Sequence, residues 1–358
     1  MVHCHPDLDP VRVVRTYTES VMHEFGIYIG RFQPAHLAHI ATVRFALSQA
    51  KRVLIVIGSD NQARTIKNPW TTAERIAMIV GALTLEEQGR ITFIPMRDYL
   101  YNDNLWIAEI QRTITAHTGP SKDVVLIGHE KDASSFYLKL FPQWTLIQSG
   151  VNMPGVDATK IRELMFSLDK IGIKNFLPES IYNDVCHFME MPEFDRLHAE
   201  HHHIKDYRSQ WDSAPFAPMF VTVDAICVCS GHVLVVRRGG ELGRGLIALP
   251  GGYLNGNERI VDGAVRELKE ETAIKMPALE LKKLIVDEKV FDHPNRSLRG
   301  RTITHAFCIN LGRGELPKVK GSDDADKAWW MPLDTVYSQE ASFFEDHFHI
   351  ITYFINRI

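Results

Sequence analysis

Short apolar runs alternate with helix-like segments in the first half of the chain, and this pattern constrains the fold most. The runs are "FGIYIG", "RVLIVIGS", "ITFIPM" and "DVVLIG", and helical periodicity is present in "HLAHIATVRFALSQA" and "TTAERIAMIVGAL". Continuous Val, Ile and Leu runs between helices are typical of a parallel sheet covered on both faces. We therefore predict an α/β domain whose ligands bind outside the carboxyl ends of the strands. The polar stretches "GRFQP", "GSDNQ" and "GHEKD" all fall at those ends.

The second half of the chain has a different pattern. "MFVTVDAICVCS" and "HVLVVRR" flank the turn "SGH", which predicts a β-hairpin, and one long helix and further strands follow. This is a mixed α+β unit of ordinary domain size, about 150 residues. A polar, helical stretch precedes it and indicates a connector. We predict an N-terminal extension (1–22), a first domain (23–180), a helical linker (181–214) and a second domain (215–358).

Composition and charge exclude several classes of protein. The net charge of −4 argues against a nucleic-acid binder, which usually presents a basic face. No apolar run approaches the ~20 residues that span a bilayer, and the N-terminus lacks the apolar core of a signal peptide. The five cysteines form no C-x-x-C pair, which favours reduced thiols and a cytoplasmic location. We expect no nucleic-acid or membrane partner, a homo-oligomer is compatible with the sequence, and the histidines of "HAEHHHIK" are interpreted as solvated.

The stretch "GRFQPAHLAH" leaves the first strand and begins a helix. The first turn of a helix carries unpaired backbone N–H groups and the positive end of the helix dipole, so it binds anions. His36 and His39 project from the same side of that turn. Gly30 lets a ligand approach the strand end, and the guanidinium of Arg31 can hold an anion with two hydrogen bonds. Together these residues predict a polyphosphate site.

This stretch resembles the phosphate-binding signature of the nucleotidyltransferase superfamily with an H-x-G-H motif, in the form found in archaeal-type nicotinamide mononucleotide (NMN) adenylyltransferases. "NPWTTAER", "NDNLWIAEI", "GHEKD" and "DATKIRE" agree with it, while Ala38 replaces the glycine of the motif. The resemblance implies a Rossmann-like domain that transfers AMP from ATP to NMN, giving NAD and pyrophosphate, with Mg²⁺ bridging phosphate oxygens. Because the attacking phosphate is already anionic, catalysis is mainly positioning and charge neutralisation.

Residue roles follow from this resemblance. Trp106 is the candidate for stacking on nicotinamide, with Asn102 and Asn104 near its polar edge, and a core position is the alternative for the indole. Lys67 and Arg64 follow the second strand and could also reach a phosphate, and for both the alternative is a solvated charge on a loop. Another phosphate-bearing substrate would suit the same fold, but "GRFQP" and Trp106 match the nicotinamide branch. The implied catalytic residues are His36, His39, Arg31 and Arg162, and the implied ATP- or NMN-binding residues are Gly30, Phe32, Gln33, Lys67, Asn104, Trp106, Gly128 and Thr159.

Three glutamates in "GGYLNGNERIVDGAVRELKEETAI" indicate a second site. Glu267, Glu270 and Glu271 share one helix face at spacings of three and four residues. Like charges this close destabilise a helix unless a divalent cation offsets their repulsion. Carboxylate and diphosphate oxygens suit Mg²⁺ or Mn²⁺. Glu258 can pair with Arg266 and brace the preceding loop.

The same stretch is identified as a Nudix box that begins at Gly252. Ala273 replaces the glycine near its end, where a left-handed helix cap costs alanine ~1 kcal/mol. The resemblance covers about residues 215 to 358 and implies an α/β/α sandwich with a mixed sheet. It also implies metal-assisted hydrolysis of a nucleoside diphosphate derivative. In that family pattern Glu267 and Glu271 are metal ligands, and Glu270 is a ligand or orients the attacking water.

The prediction of a substrate for the second half depends on "VFDHPNRSLRGRTITHAF" and "GSDDADKAWW", which resemble the ADP-ribose pyrophosphatase branch. The expected products are AMP and ribose 5-phosphate. Together the two halves resemble the bifunctional NMN adenylyltransferase/ADP-ribose pyrophosphatases. A sensing module for ADP-ribose or NAD, or hydrolysis of another nucleoside diphosphate derivative, is the alternative for the second half, and its intact carboxylates favour hydrolysis. The implied ADP-ribose ligands are Gly252, Arg296, Arg299 and Arg301, and the candidates for a catalytic base are Asp323, Asp324 and Asp326, for which a solvated acidic turn is the alternative.

Overall fold

The computed structural model describes residues 22–129, 138–322 and 325–357. The strands of the first unit form one sheet in which every neighbouring pair is parallel. They are β1 (His23–Gly30), β2 (Ala50–Ile57), β3 (Ile91–Pro95), β4 (Val124–Gly128) and β5 (Thr145–Gln148). Their order across the sheet is β3-β2-β1-β4-β5. The predicted Rossmann-like parallel sheet is confirmed.

Alternate residues of the central strands enter two different cores, because successive side chains of a strand point to opposite faces. Ile27 and Leu126 belong to the core on one face, and Tyr28 and Ile127 belong to the core on the other. Helices cover both faces, which explains why these strands are apolar throughout. The helices are α1 (Leu37–Gln49), α2 (Thr72–Gly81), α3 (Leu85–Gln88), α4 (Asp103–Thr118), α5 (Ala158–Phe166) and α6 (Lys170–Lys174).

The stretch predicted as a linker is part of the folded structure rather than a simple connector. It forms α7 (Glu179–Phe188) and α8 (Pro192–Ser209). Side chains of α7 and of the first half of α8 are buried in a core of the first unit, for example Phe188 and Leu197. Ile204, further along α8, packs in a cluster with residues of the second unit. The polar composition of this stretch concealed these apolar side chains, which are spaced as on one helix face.

The second unit contains a mixed sheet of seven strands. They are β6 (Met219–Cys229), β7 (His232–Arg238), β8 (Ile247–Ala248), β9 (Gly251–Tyr253), β10 (Ile285–Phe291), β11 (Arg301–Asn310) and β12 (Ala325–Pro332). The main path is β10-β11-β6-β7-β12, with β8 paired to β7 and β9 paired to β6. Only β11 and β6 are parallel among these pairs of described strands. The predicted hairpin is the antiparallel β6–β7 pair.

Helices cover both faces of this sheet as well. They are α9 (Ile260–Thr272), α10 (Ala278–Lys283), α11 (Leu333–Ser338) and α12 (His347–Ile355), and a 3₁₀ turn covers Glu340–Ser342. Leu268 of α9 packs with Cys227 on one face, and Ile351 of α12 packs with Ile226 on the other. The predicted α/β/α sandwich with a mixed sheet is confirmed. Across the described ranges, no helix combines the length and apolar character needed to cross a membrane.

The two units meet at the loop between β3 and α4. The hydroxyl of Tyr101 donates to Asp346 Oδ2 at 2.5 Å, and Arg97 Nη2 lies 2.6 Å from Glu340 Oε2. The ring of Tyr101 also packs edge-on against Phe291, with centroids 4.9 Å apart. These contacts place the loop after β10 beside the carboxyl edge of the first sheet.

Candidate functional site

A cavity of about 620 Å³ opens at the carboxyl ends of the strands of the first unit. Its position agrees with the place where open parallel sheets bind ligands. Most of the residues predicted for the first site line it. These are Gly30, Arg31, Phe32, Gln33, His36, His39, Lys67, Trp106, Thr159 and Arg162.

His36 and His39 form the floor of the cavity at the start of α1. His36 is the N-cap residue with extended backbone, and its Nδ1 accepts the backbone N–H of His39 at 3.4 Å. The two imidazoles stack with centroids 3.6 Å apart, and the ring of Phe32 packs edge-on against His39. Ala38 lines the same wall, so its methyl group lies where the motif glycine would leave space. The two rings therefore lie together at the anion-binding end of the helix.

Gly30 has a packing role that the sequence did not predict. A Cβ atom on Gly30 would lie 2.7 Å from the ring of Phe32, so the glycine makes room for this ring. Phe32 has a left-handed backbone, with φ at +54°, which folds its side chain back over the strand end. Gly30 also lines the cavity, so its interpretation as a place of close ligand approach stays a prediction.

Gln33 is occupied by the protein itself. Its Nε2 donates to the carbonyl of Trp70 at 2.8 Å, and its Oε1 accepts the N–H of Trp70 at 3.1 Å. The side chain thus fastens the "GRFQP" loop to the "NPW" segment, and both of its polar ends are used. The predicted ligand contact through this side chain is not supported, although the carbonyl of Gln33 accepts a hydrogen bond from Arg162 at 2.6 Å.

Three cations converge on the cavity. Arg31, Lys67 and Arg162 all line it. Burial, together with the charges of Arg31 and Arg162, lowers the pKa of Lys67. Burial, with a smaller effect of Arg31, lowers the pKa of Arg162 to about 10. A bound polyphosphate would offset this mutual repulsion. Arg64, by contrast, is paired with Glu74 at 2.8 Å and does not line the cavity.

The remaining predicted residues of the first site divide into two groups. Trp106 is half-buried on the cavity wall with its ring tilted against Phe141, and Thr159 Oγ1 accepts a hydrogen bond from Arg162 at 3.3 Å. Asn104 is exposed and lies outside the cavity lining, and Asn102 is the N-cap of α4 and accepts the N–H of Leu105.

Gly128 has a packing role. A Cβ atom on it would lie 2.6 Å from Leu138, and it is the next residue, His129, that lines the cavity. The end of "GHEKD", residues 130–132, lies outside the described residues.

Arg75 is a structural residue that sequence reasoning missed. It is 1% exposed, and it donates to the carbonyls of Arg31 and Gly58 at 2.6 Å and of Ser59 at 3.0 Å. These carbonyls belong to the loops at the ends of β1 and β2, so one guanidinium fixes two walls of the cavity. Burial lowers the pKa of Arg75 to about 10. Its place in "TTAER" on α2 was the available signal.

The second site lies where α9 faces β9. Glu267 and Glu271 are buried, whereas the side chain of Glu270 is 46% exposed. The N–H of Gly251 donates to Glu271 Oε2 at 3.0 Å, and a Cβ on Gly252 would lie 2.5 Å from Glu267 Oε1. Burial, reinforced by the charge of Glu267, raises the pKa of Glu271 to about 8. This pair of desolvated carboxylates fits a divalent cation, which would offset their repulsion.

Arg266 organises the carboxylates of this site. Its guanidinium is 2.7 Å from Glu258, 2.8 Å from Glu267 and 2.7 Å from Glu270. The hydrogen bond from Arg266 lowers the pKa of Glu258 to about 2. The expected Glu258–Arg266 contact is present. Among the described residues, no three His, Cys, Asp or Glu side chains already converge as a metal-binding group.

The arginines predicted for ADP-ribose have unequal environments. Arg296 is 4% exposed and makes two hydrogen bonds of 2.9 Å with the buried Asp346, so the prediction that it offers a free cation to a ligand is wrong. Arg299 lies over the ring of Tyr253, at 5.3 Å from its centroid, and is 3.6 Å from Glu345. Only Arg299 is thus placed beside the glycines of β9.

The other residues predicted for the second site are Arg301 and the three aspartates Asp323, Asp324 and Asp326. Arg301 donates to the carbonyl of Asp292 at 2.5 Å. Asp326 is exposed on β12, and Asp323 and Asp324 lie outside the described residues.

His293 is the unexpected member of the first cavity. It comes from the loop after β10 in the second unit, yet it lines the cavity of the first unit with Lys67, Asp103 and Trp106. The motif-based prediction treated the two halves separately and had no signal for this contribution.

The fold and the two sites together define a nucleotidyltransferase joined to a Nudix domain. A Cytidylyltransferase-like family model matches residues 27–164, and a NUDIX domain model matches residues 219–354. The nicotinamide/nicotinic acid mononucleotide adenylyltransferase of Acinetobacter baylyi is 37% identical over 174 residues, which are 49% of this chain and 91% of that protein. The nicotinamide-nucleotide adenylyltransferase of Thermococcus onnurineus is 35% identical over 143 residues, which are 39% of this chain and 71% of that protein.

Solved structures match both units at once. A bifunctional NMN adenylyltransferase/ADP ribose pyrophosphatase from Francisella tularensis superimposes with a TM-score of 0.88 and 33% identity, covering 94% of this chain and 99% of that one. A structure of a protein of the same description and organism, complexed with AMP and Mn ion, gives a TM-score of 0.86 with 32% identity over the same shares. The chain belongs to the family of bifunctional NMN adenylyltransferase/ADP-ribose pyrophosphatases.

Proposed function

We propose that the first unit transfers AMP from ATP to NMN and that the second unit hydrolyses ADP-ribose. The observation that carries the first activity is the cluster of Arg31, Lys67 and Arg162 facing the stacked pair His36 and His39 in one cavity. This arrangement supplies cations and the positive end of the α1 dipole to a polyphosphate, which is what adenylyl transfer requires. The full-length similarity to proteins with both activities supports the pairing.

In the first reaction an oxygen of the NMN phosphate attacks the α-phosphorus of ATP. A new P–O–P bond forms, the bond between the α-phosphorus and the bridging oxygen to the β-phosphorus breaks, and pyrophosphate leaves with the electron pair. No proton needs to be removed from the nucleophile, so the chain acts by position and charge. His36 and His39 hold the phosphates at the N-terminus of α1, and Arg31 and Arg162 neutralise the charge that develops on the leaving group. Trp106 provides a surface for the nicotinamide ring.

In the second reaction a water oxygen attacks a phosphorus of the diphosphate, and cleavage of the P–O–P linkage gives AMP and ribose 5-phosphate. Glu267 and Glu271 would hold a divalent cation, which supplies charge neutralisation for the diphosphate. Glu270, the exposed member of the group, orients the water and accepts its proton. Arg266 keeps Glu267 and Glu270 in place by hydrogen bonds of 2.8 and 2.7 Å.

The cation that we propose is Mg²⁺ or Mn²⁺, because carboxylate and phosphate oxygens suit both ions. The substrates are small nucleotides, and the net charge of −4 does not favour nucleic acid as a partner. We also propose a cytoplasmic location, since the described cysteines Cys186, Cys227, Cys229 and Cys308 are all free thiols. A homo-oligomer stays a prediction.

The test disables each unit separately. Wild type, His39→Ala and Glu271→Gln are incubated with Mg²⁺ and either NMN plus ATP or ADP-ribose, and the products are separated chromatographically. We expect His39→Ala to lower NAD formation by about 10²-fold, the usual effect of removing one charge-stabilising group, and to leave ADP-ribose cleavage intact. Glu271→Gln should have the opposite selectivity. His117→Ala and Glu280→Gln, which change exposed residues outside both sites, are the matched controls.

The outcomes are distinct for each unit. If wild type forms no NAD, the adenylyl-transfer assignment is wrong. If ADP-ribose is bound in a titration but not cleaved by wild type, the second unit is a sensing module rather than a hydrolase. If wild type neither binds nor cleaves ADP-ribose, a panel of other nucleoside diphosphate derivatives identifies the substrate of the Nudix domain.

A further inference from the structure

The second unit contributes a side chain to the cavity of the first. The loop between Phe291, the end of β10, and Arg301, the start of β11, reaches across the contact between the units. His293 on this loop lines the cavity together with Asp103 and Trp106 of α4 and with Lys67. The ATP phosphates are assigned to the start of α1, so His293 borders the part of the cavity that the proposed function assigns to NMN.

The orientation of His293 is set by its own loop. Its Nδ1 accepts the backbone N–H of Asn295 at 3.2 Å, which leaves the proton of the neutral ring on Nε2. Burial and the charge of Lys67 lower the pKa of His293, against the opposing effect of Asp346 and Asp103. The ring therefore presents one N–H donor, at Nε2, and no acceptor that remains unused.

A buried ion pair anchors the loop. Arg296, three residues after His293, makes two hydrogen bonds of 2.9 Å with Asp346. Asp346 also accepts the hydroxyl of Tyr101, a residue of the first unit two positions before Asp103. The ring of Tyr101 is edge-on to that of His293, with centroids 6.2 Å apart. The loop is thus fastened to the chain segment that leads into α4, which carries the wall of the NMN part of the cavity.

We propose that His293 is a mononucleotide-binding residue of the adenylyl-transfer site, where its Nε2–H donates a hydrogen bond to an oxygen of the NMN substrate. This inference rests on the proposed function of the first unit. Its consequence is that the first active site is complete only when the second unit is folded against it.

Steady-state kinetics of NAD formation tests the inference. We expect His293→Ala to raise the KM for NMN about five- to tenfold, the effect of one lost hydrogen bond, and to leave the KM for ATP within about twofold. His293→Gln keeps an N–H donor close to the position of Nε2, and it should recover most of the affinity. His232→Ala, a histidine of the same unit at the β6–β7 turn, is the matched control and should behave as wild type.

Each result has one meaning. A wild type that forms no NAD removes the proposed function itself, whereas a wild type that forms NAD while His293→Ala keeps its KM for NMN overturns this inference alone. An equal rise of both KM values, or equal defects in His293→Ala and His293→Gln, also overturns it, because the effect would then be general rather than due to the lost donor. The rise in Tm of each full-length variant with increasing NMN measures binding without turnover. We expect this rise to be largest for wild type, smaller for His293→Gln and smallest for His293→Ala.

Discussion

Replacing Asp346 with asparagine tests the energy of the buried ion pair that anchors the loop of His293 in the second unit. The side chains of Asp346 and Arg296 are 0% and 2% exposed, and two hydrogen bonds of 2.9 Å join them. Asparagine keeps the shape of the site but removes the charge of the carboxylate that is paired with the buried guanidinium. Removing one partner of such a pair costs about 3–5 kcal/mol of unfolding free energy. Tyr101→Phe, which removes one hydrogen bond to the same carboxylate, should cost less, about 1.5–3 kcal/mol.

Urea unfolding at pH 7.5, followed by circular dichroism and by tryptophan fluorescence, measures these losses. Two probes are needed because a chain with two units need not unfold in one step. Glu109→Gln is the matched control, since it breaks an Arg–Glu pair whose arginine side chain is 70% exposed, and we expect a loss below about 1 kcal/mol. If Asp346→Asn costs no more than Glu109→Gln, the reasoning is refuted. The double replacement Arg296→Met/Asp346→Leu should recover part of the loss, because it removes the unpaired charge.

The pH dependence of the Asp346→Asn effect follows from the same contacts. Burial has the largest single effect and would raise the pKa of Asp346, but the charges of Arg296 and His347 and the hydrogen bonds from Arg296 and Tyr101 together outweigh it, so the pKa lies below its usual value. The stabilisation is therefore fully present above the pKa of the unfolded chain, about 3.9, and is lost only as the pH falls through the lower pKa of the folded state. The difference between wild type and Asp346→Asn should be constant from about pH 5 to 8 and shrink in stronger acid.

Three further perturbations have defined outcomes. In the presence of a chelator, burial and the charge of Glu267 hold the pKa of Glu271 at about 8, so the stabilising neutral form of this side chain is lost as the pH rises to that value. The unfolding free energy of wild type should therefore fall relative to that of Glu271→Gln between about pH 5 and 8. Equal pH dependence of the two proteins in urea unfolding would contradict this. Ala273→Gly should raise the unfolding free energy by about 0.5–1 kcal/mol, because Ala273 has φ at +50°; an unchanged or lower value would show that this left-handed cap is not strained. Gly30→Ala should displace the ring of Phe32, which lies 2.7 Å from the added Cβ, and lower NAD formation while sparing ADP-ribose cleavage; normal kinetics would place the ring elsewhere.

Local sequence patterns predicted the features that depend on neighbours in the chain. The apolar runs gave the parallel sheet because both faces of those strands are buried, and the spacing of His36 and His39 placed two rings on one helical turn. The same holds for Glu258 and Arg266, whose contact joins a loop to the helix that follows it directly. For the two side-chain pairs the geometry is determined within about ten residues, and for the sheet each strand is recognisable from its own apolar run although the strands pair across longer distances in the chain.

Contacts between distant segments were not predictable in this way. Nothing in "DHPNRSLRG" shows that Arg296 would meet Asp346, which is fifty residues further along the chain. Asn104 has a polar side chain that could bind a ligand, but its position at the start of α4 exposes it to solvent. The buried apolar face of α7 and α8 was hidden in a stretch that is polar on average. The first two errors share one cause: an arginine or an amide has the same identity in the sequence whether it meets a ligand, water or another side chain.

The environment of Arg296 also bears on which arginine we propose for the recognition of ADP-ribose. For Arg296 to contact a ligand phosphate, it would have to leave a carboxylate that is fully buried, at a cost of about 3–5 kcal/mol that one phosphate contact does not offset. Arg299 lies beside Tyr253 and the glycines of β9, and its contact with Glu345 is longer, at 3.6 Å, so it is the more available of the two for a ligand. Arg296 and Arg299 are three residues apart, so the first holds the loop in place while the second faces the Nudix site. The loop that carries His293 to the first cavity therefore carries Arg299 to the second, and Asp346 fixes the position of both.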